Sequence, residues 1–188
     1  MTVITALRRR APKASLARSA RVRLAALVAM LALAPAAAGA GELKPVKGVI
    51  TAGDFVARDL GGRAVWFGEL RGKVVLLNFW ATWCLPCRKE MPTMERLHQR
   101  YKDRGLAVLA LSQDQASSQV VKVFVDELNL SFPVWHDRDG LVGRQYSIPG
   151  VPTSYLIGRD GRIAYRALGE YDLDGHEARR AVEALLGG

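Results

Sequence analysis

Apolar and polar positions form two kinds of pattern after residue 50 of the chain. The uninterrupted apolar runs 74–80 and 106–111 are typical of strands that are covered on both faces of a sheet. Between them, apolar residues recur every three or four positions from Met91 onward. This spacing predicts a helix with one buried face that begins near Cys84 and runs towards Lys102.

The remaining pattern predicts further strands and helices. Turn residues between short apolar runs predict hairpins, and helical spacing predicts the other helices. In chain order these elements are a hairpin of 55–59 with 63–67, a helix from Ser117 or Ser118 to Leu128, a strand at 132–136, a short helix at 141–146, a hairpin of 155–157 with 162–165, and a closing helix at 176–186. Strands that alternate with helices in this way predict an α/β fold, with a mixed central sheet and helices on both faces.

The first 40 residues differ from the rest of the chain in charge. Of the 27 basic residues, seven lie here and no acidic residue does, so the remaining 20 basic and 18 acidic residues leave the rest of the chain at +2, although the whole chain is at +9. A nearly neutral body has no broad electrostatic footprint for a phosphate backbone. The composition therefore argues against binding to nucleic acid.

The same 40 residues have the pattern of an export signal peptide. A basic stretch precedes the apolar run 24–34, and Ala38-Gly39-Ala40 fits the small-x-small rule for cleavage before Gly41. The alternative is an uncut anchor, although the 17 residues 24–40 are marginal for a bilayer core of about 30 Å. In both cases we expect the rest of the chain in the periplasm or at the outer face of the cytoplasmic membrane. We expect three parts: signal or anchor (1–40), tether (41–50) and one domain (51–188).

Cys84 and Cys87 are the only cysteines of the chain, and they lie where a predicted buried strand passes into a helix. An exported protein stapled by disulfides would use more cysteines at wider spacing. Two intervening residues let the sulfur atoms meet across the first helical turn, and the helix N-terminus favours a thiolate on Cys84. Cys84 would then attack a substrate disulfide, and Cys87 would resolve the mixed disulfide.

A C-x-x-C pair is also compatible with half of a zinc site. A structural zinc site needs four ligands, but His98, His136 and His176 are scattered without ligand spacing. The pattern therefore favours redox chemistry, and we expect neither a metal ion nor another cofactor.

The residues around the cysteines resemble a known family. Residues 79–87 (FWATWCLPC) resemble the active-site segment of thioredoxins, and the continuation 88–92 (RKEMP) is similar to that of the exported TlpA/ResA-like thiol–disulfide oxidoreductases. The second family mark is Val151-Pro152-Thr153. The resemblance covers about residues 55–186, and it implies a thioredoxin fold with a helix-and-strand insertion within about 112–147.

The resemblance also implies a substrate-binding surface. Pro152 would follow a cis peptide bond and face the cysteines, which leaves the backbone groups of Val151 free to pair with an extended substrate. An ordinary loop proline is the alternative. Trp83, Pro86 and Thr153 complete the expected surface, although Thr153 could instead only satisfy a turn.

Two departures from ordinary thioredoxins concern proton transfer. Asn78 stands where thioredoxins have a buried aspartate, and the next strand has no lysine. Glu90, three residues after Cys87, is the expected replacement, since similar proteins of the TlpA/ResA-like group have a glutamate there. Partial burial would raise the pKa of its carboxyl and suit it to shuttle a proton. The alternative is a solvated glutamate balanced by Arg88 and Lys89.

These features predict an extracytoplasmic disulfide reductase. The resemblance implies a membrane electron donor fed by cytoplasmic thioredoxin, and clients such as apocytochrome c, in cytochrome c biogenesis, or copper-delivery proteins of oxidase assembly. A DsbA-like oxidant or isomerase is one alternative, and a module that binds client thiols or Cu(I) without turnover is another. Peroxidase activity is disfavoured because the arrangement P-x-x-x-T-x-x-C is missing.

Overall fold

The computed structural model describes residues 41–187, and the predicted export signal lies outside these residues. The strands are β1 (Leu43–Pro45), β2 (Val56–Asp59), β3 (Ala64–Trp66), β4 (Val74–Trp80), β5 (Leu106–Ser112), β6 (Val134–His136), β7 (Thr153–Ile157) and β8 (Ile163–Leu168). The α-helices are α1 (Leu85–Tyr101), α2 (Ser118–Glu127), α3 (Leu141–Gln145) and α4 (His176–Leu186). None of the helices within 41–187 is long and apolar enough to cross a membrane.

The strands of the described residues form one eight-stranded sheet in the order β1-β8-β7-β4-β5-β6-β2-β3. Strand β5 runs parallel to its neighbours β4 and β6, whereas β7 is antiparallel to β4. The sheet is therefore mixed, and the predicted α/β fold is confirmed. Strand β4 lies inside the sheet because its sequence, VVLLNFW, has one polar residue, and all seven of its residues are buried.

Successive residues of β4 point to opposite faces of the sheet, and each face has its own core. Leu76 and Trp80 pack with residues of α1, α2 and α4 on one face. Leu77 and Phe79 pack on the other face with α3 and with aromatic residues such as Phe55. Truncating a side chain buried to this degree typically costs about 2–5 kcal/mol of stability. The two cores hold β4 rigidly, and with it the start of α1.

Elements α2, β6 and α3 lie within residues 112–147, where the resemblance implies an insertion. Strand β6 pairs with β5 on the side away from β4, and the hairpin of β2 and β3 extends the sheet beyond β6. The insertion thus widens the sheet without interrupting the central strands.

The segment predicted to be a tether is partly a strand. Strand β1 pairs with β8, with Leu43 opposite Ala167, and Leu43 is 5% exposed. Residues 41–50 are therefore not a free tether throughout. The sequence does not predict this strand because β1 is only three residues long and has a single buried residue. Its pairing depends on the backbone of β8.

Candidate active site

Cys84 and Cys87 form a disulfide at the N-terminus of α1, with the two Cα atoms 5.3 Å apart. Cys84 is the N-cap residue, and its Sγ accepts a hydrogen bond of 3.2 Å from the backbone N–H of Cys87. Pro86 occupies the first turn, where a missing N–H leaves no helical hydrogen bond unmade. The unpaired N–H groups and the dipole of the helix stabilise negative charge on a sulfur at this position.

The Val151–Pro152 peptide bond is cis and directly precedes β7. Thr153, the first residue of β7, pairs with Phe79 near the end of β4. Because β4 leads into the cysteine segment, the proline loop and the cysteines lie at the same edge of the sheet. Val151 packs against the core cluster to which both cysteines belong.

The surface beside the disulfide is apolar. Trp83 is 70% exposed and Leu85 is 65% exposed, and Pro86 is exposed between the cysteines. The sulfur-bearing residues themselves are buried, at 5% exposure for Cys84 and 1% for Cys87. A partner must therefore approach over this apolar rim to reach a sulfur atom.

Two further residues near the cysteines, Thr153 and Trp80, are buried and make contacts inside the protein. The side chain of Thr153 is buried, and its hydroxyl donates a hydrogen bond of 2.7 Å to the carbonyl of Gly150, so it satisfies a turn. Trp80 is fully buried, and its ring packs against that of Phe124. Trp80 therefore belongs to the core and not to the surface around the sulfurs.

Glu90 is buried in a polar cluster, three residues after Cys87 on α1. Its Oε1 accepts hydrogen bonds from Asn78 Nδ2 at 2.8 Å and from the Ser154 hydroxyl at 3.2 Å. Its Oε2 accepts one from the backbone N–H of Tyr171 at 3.3 Å. Only 2% of the residue is exposed, so the interpretation of Glu90 as a solvated helix residue is wrong.

Burial is the main cause that raises the pKa of Glu90 to about 8. The hydrogen bonds from Tyr171 and Ser154 favour the carboxylate and oppose this shift, whereas the negative charge of Glu170 adds to it. An ordinary cysteine thiol has a pKa of about 8.5. A proton can pass between two groups of such similar pKa without a large free-energy penalty. Glu90 follows Cys87 by three residues on the buried face of α1, as the sequence predicts.

A second polar cluster holds the loop that connects β4 to α1. The Asp114 carboxylate accepts hydrogen bonds from the Thr82 N–H at 2.9 Å, the Thr82 hydroxyl at 2.6 Å and the Ser112 hydroxyl at 2.7 Å. His136 Nε2 lies 2.7 Å from the Asp114 backbone carbonyl, so His136 supports the same cluster. Asp114 is a functional residue that the predicted site does not include. Its signal in the sequence is that of an acidic residue just after a buried strand, at the edge of the sheet that carries the cysteines.

No group of three or more His, Cys, Asp or Glu side chains within residues 41–187 is arranged to hold a metal ion. His98 is half-buried, with its ring edge-on to Phe132, and it lies on α1 away from the N-terminal turn.

A mixed sheet, a C-x-x-C disulfide at a helix N-terminus and an adjacent cis-proline loop define a thioredoxin-fold thiol–disulfide protein. Comparison with known proteins agrees: the family model described as AhpC/TSA matches residues 51–166. The chain belongs to the AhpC/TSA family and, within it, resembles the ResA thiol–disulfide oxidoreductases.

The ResA relatives and a solved structure support this assignment. The chain is 43% identical over 117 residues to the thiol–disulfide oxidoreductase ResA of Bacillus cereus (strain ZK / E33L), a match that covers 62% of this chain and 67% of that protein. ResA of Oceanobacillus iheyensis is 42% identical over 119 residues, which are 63% of this chain and 62% of that protein. A crystal structure of a candidate DsbE thiol:disulfide interchange protein from Chlorobium tepidum has a TM-score of 0.69 and 32% identity, and it covers 76% of this chain and 99% of that one.

These relatives confirm the TlpA/ResA-like resemblance and the thioredoxin fold. The protein is a thiol–disulfide oxidoreductase, and its clients are proteins with disulfides.

Proposed function

We propose that this oxidoreductase is a disulfide reductase that works outside the cytoplasmic membrane, in the periplasm or at the outer membrane face, with residues 1–40 as its export signal or anchor. The observation that supports exchange chemistry most directly is the position of the Cys84–Cys87 disulfide, which shares a sheet edge with the cis Val151–Pro152 bond. The predicted export signal supports the location.

In the proposed cycle, Cys84 is the nucleophile and Cys87 the resolving cysteine. The Cys84 thiolate attacks one sulfur of a client disulfide, and the other client sulfur leaves as a thiolate. Cys87 then loses its proton, and its thiolate attacks the Cys84 sulfur in the mixed disulfide. The second client thiolate leaves, the client has gained two electrons, and the protein holds the Cys84–Cys87 disulfide.

Glu90 is the proposed proton acceptor for Cys87. Its carboxylate form, present in part near neutral pH because the pKa is about 8, takes the thiol proton when the resolving attack begins. In the reverse half of the cycle, when a donor reduces the disulfide, protonated Glu90 returns the proton. Asn78 and Ser154 hold the carboxyl in place through their hydrogen bonds.

Client binding is assigned to the apolar rim and the proline loop. Trp83 and Pro86 are exposed beside the sulfurs, and the Val151 backbone offers pairing groups to an extended segment. Thr153 contributes to this surface by fixing the loop with its hydroxyl.

The proposed clients are apocytochrome c, whose haem-attachment cysteines must be reduced, or copper-delivery proteins of oxidase assembly. A reductant outside the membrane must be recharged, and the family resemblance supports a membrane protein that carries electrons from cytoplasmic thioredoxin.

Trapping clients with Cys87→Ser tests the proposal. Without the resolving thiol, we expect Cys84 to remain joined to clients in mixed disulfides that reductant releases, and mass spectrometry to identify them as exported proteins with paired cysteines. Cys84→Ser is the matched control, since it keeps one thiol at the same helix end but should trap far less. Equal trapping by both variants, or none by Cys87→Ser, would contradict the assigned roles.

A further inference from the structure

The segment that connects β8 to α4 lies along α1, behind the active site. We call residues 170–174 the strap. Besides Glu90, the strap contacts four residues of α1 that follow one another at intervals of three or four residues, which places them in one stripe on one face of the helix. The α1 residues in this stripe are Lys89, Thr93, Arg96 and Arg100.

The end of the strap is anchored by two kinds of contact. The buried Leu173 donates its N–H to the Thr93 hydroxyl at 3.1 Å, and that hydroxyl in turn donates to the Glu90 backbone carbonyl at 2.8 Å. The Asp174 carboxylate, with 10% of its side chain exposed, lies 3.4 Å from Arg96 Nε and 3.3 Å from Arg100 Nε. These anchors fix the strap against the helix that carries Glu90.

The middle of the strap meets Glu90 itself. The Tyr171 N–H donates to Glu90 Oε2 at 3.3 Å, and the Glu170 carboxylate pairs with Lys89 at 3.5 Å. Directly before the strap, the Gly169 N–H donates to the Pro152 carbonyl at 3.0 Å. One short segment therefore contacts both the buried carboxyl and the cis-proline loop.

We propose that the strap is the cover that keeps water from Glu90, and that Thr93 is the positioning residue that fastens this cover. The proposal rests on the function proposed for Glu90 and adds the element that controls it. The hydroxyl of Thr93 suits this task because it bonds at once to the strap and to the backbone of Glu90.

The charged and polar groups around Glu90 determine the expected effect. They are Lys89 and Cys87 on α1, Asn78 on β4, Ser154 on β7, and Glu170 with the Tyr171 N–H on the strap. Burial raises the pKa of Glu90 more than the Tyr171 hydrogen bond lowers it. If the strap detaches, water reaches the carboxyl and replaces the hydrogen bond from Tyr171. The carboxylate is then hydrated and no longer faces the negative charge of Glu170, so the pKa of Glu90 falls.

The test is the titration of the Glu90 carboxyl in the oxidised full chain, followed by carbon-13 NMR, with Glu90→Gln to assign its signal. Thr93→Val removes the anchoring hydroxyl, and Thr93→Ser retains it. We expect wild type and Thr93→Ser to titrate near 8 and Thr93→Val at least about one pH unit lower. Thr51→Val, at an exposed threonine outside the strap, is the matched control and should leave the midpoint unchanged.

An unchanged midpoint in folded Thr93→Val would overturn the proposal. If Thr93→Val does not fold, Asp174→Asn replaces it, since it weakens the two arginine contacts at the same anchor; a midpoint that stays near 8 in this variant would also overturn the proposal. The titration requires no turnover. A failure to reduce clients would therefore contradict the proposed function but would not move this midpoint. An unshifted midpoint in Thr93→Val would contradict the role of the strap but would not affect the result of the client assay.

Discussion

At the scale of single residues, the pair of Asn78 and Glu90 separates this site from that of ordinary thioredoxins. An asparagine side chain does not take up a proton at neutral pH, so Asn78 can orient a proton acceptor but cannot act as one. Its Nδ2 donates to both Glu90 and Ser154, which fixes the carboxyl within the cluster. Any proton exchange in this cluster therefore depends on Glu90.

Glu90→Gln should change how stability depends on pH. The folded-state pKa of about 8 lies above the ordinary value of 4.5, so between these values the folded protein holds more protons than the unfolded chain. Its free energy of unfolding therefore falls as pH rises from about 5 to about 8 and levels off above that. The neutral glutamine should remove this fall, as measured by urea unfolding of the oxidised protein at a series of pH values.

Glu127→Gln is the matched control, since Glu127 lies exposed at the end of α2. We expect it to retain the wild-type dependence on pH.

The same two variants, compared by the pH dependence of cysteine alkylation, test the catalytic part of the hypothesis. An alkylation profile that Glu90→Gln leaves unchanged for both cysteines would remove Glu90 from the mechanism.

The sequence predicts only part of this residue-level arrangement. The spacing within α1 places Glu90 on the buried side of the helix, next to Cys87, and the C-x-x-C spacing itself allows the disulfide. Ser154 and the Tyr171 N–H come from positions 64 and 81 residues beyond Glu90, so no local pattern could bring them to it. Their meeting depends on the pairing of β4 with β7 and on the strap.

At the scale of elements, the loop between β4 and α1 determines where the cysteines lie. Two residues separate Trp80, the end of β4, from the exposed Trp83, and in this interval Thr82 is bound by Asp114. Asp114 follows β5, the parallel neighbour of β4, so the two strands jointly support the loop. Hydrogen bonds from the backbone and side chain of Thr82 to Asp114 thus hold the loop that leads to Cys84.

Asp114→Ala should loosen this loop and destabilise the fold. It leaves the Thr82 N–H and the Ser112 hydroxyl without their acceptor at a largely buried position, at a cost of about 1–3 kcal/mol. The measurement is the free energy of urea unfolding. Asp126→Ala is the control, because it breaks only the exposed ion pair with Lys122, which should cost less than about 0.5 kcal/mol. Equal effects of the two substitutions would show that Asp114 does not clamp the loop.

Elements with strong apolar patterns are predictable, and those that depend on a partner are not. The runs that form β4 and β5, and the spacing of α1 and α4, specify burial by themselves, so their positions agree with the structure within a residue or two. Strand β1 has one buried residue and gains its hydrogen bonds from β8, so its sequence resembles a tether. Ser117 is the N-cap residue of α2, so the helix begins at the predicted position. The Ser117 side chain nevertheless makes no capping hydrogen bond.

At the scale of the whole molecule, the fold places the Cys84–Cys87 disulfide, a buried carboxyl and a proline loop at one edge of a sheet with two separate cores. The helix N-terminus stabilises a cysteine thiolate and so favours the reduced form of the protein. Formation of the disulfide removes the thiolate charge, so the oxidised form does not gain this stabilisation. The complete fold thus determines the relative stability of the reduced and oxidised forms. This relative stability determines the direction in which the protein transfers electrons.

The reduction potential of the Cys84–Cys87 pair tests the proposed direction most directly. It is measured by equilibrating the protein with thiol–disulfide buffers of known poise and separating the two forms after alkylation of free thiols. A reductant should have a potential near that of thioredoxin, roughly −270 mV. A value near that of DsbA, about −120 mV, would contradict the proposed role as a reductant and make the protein an oxidant.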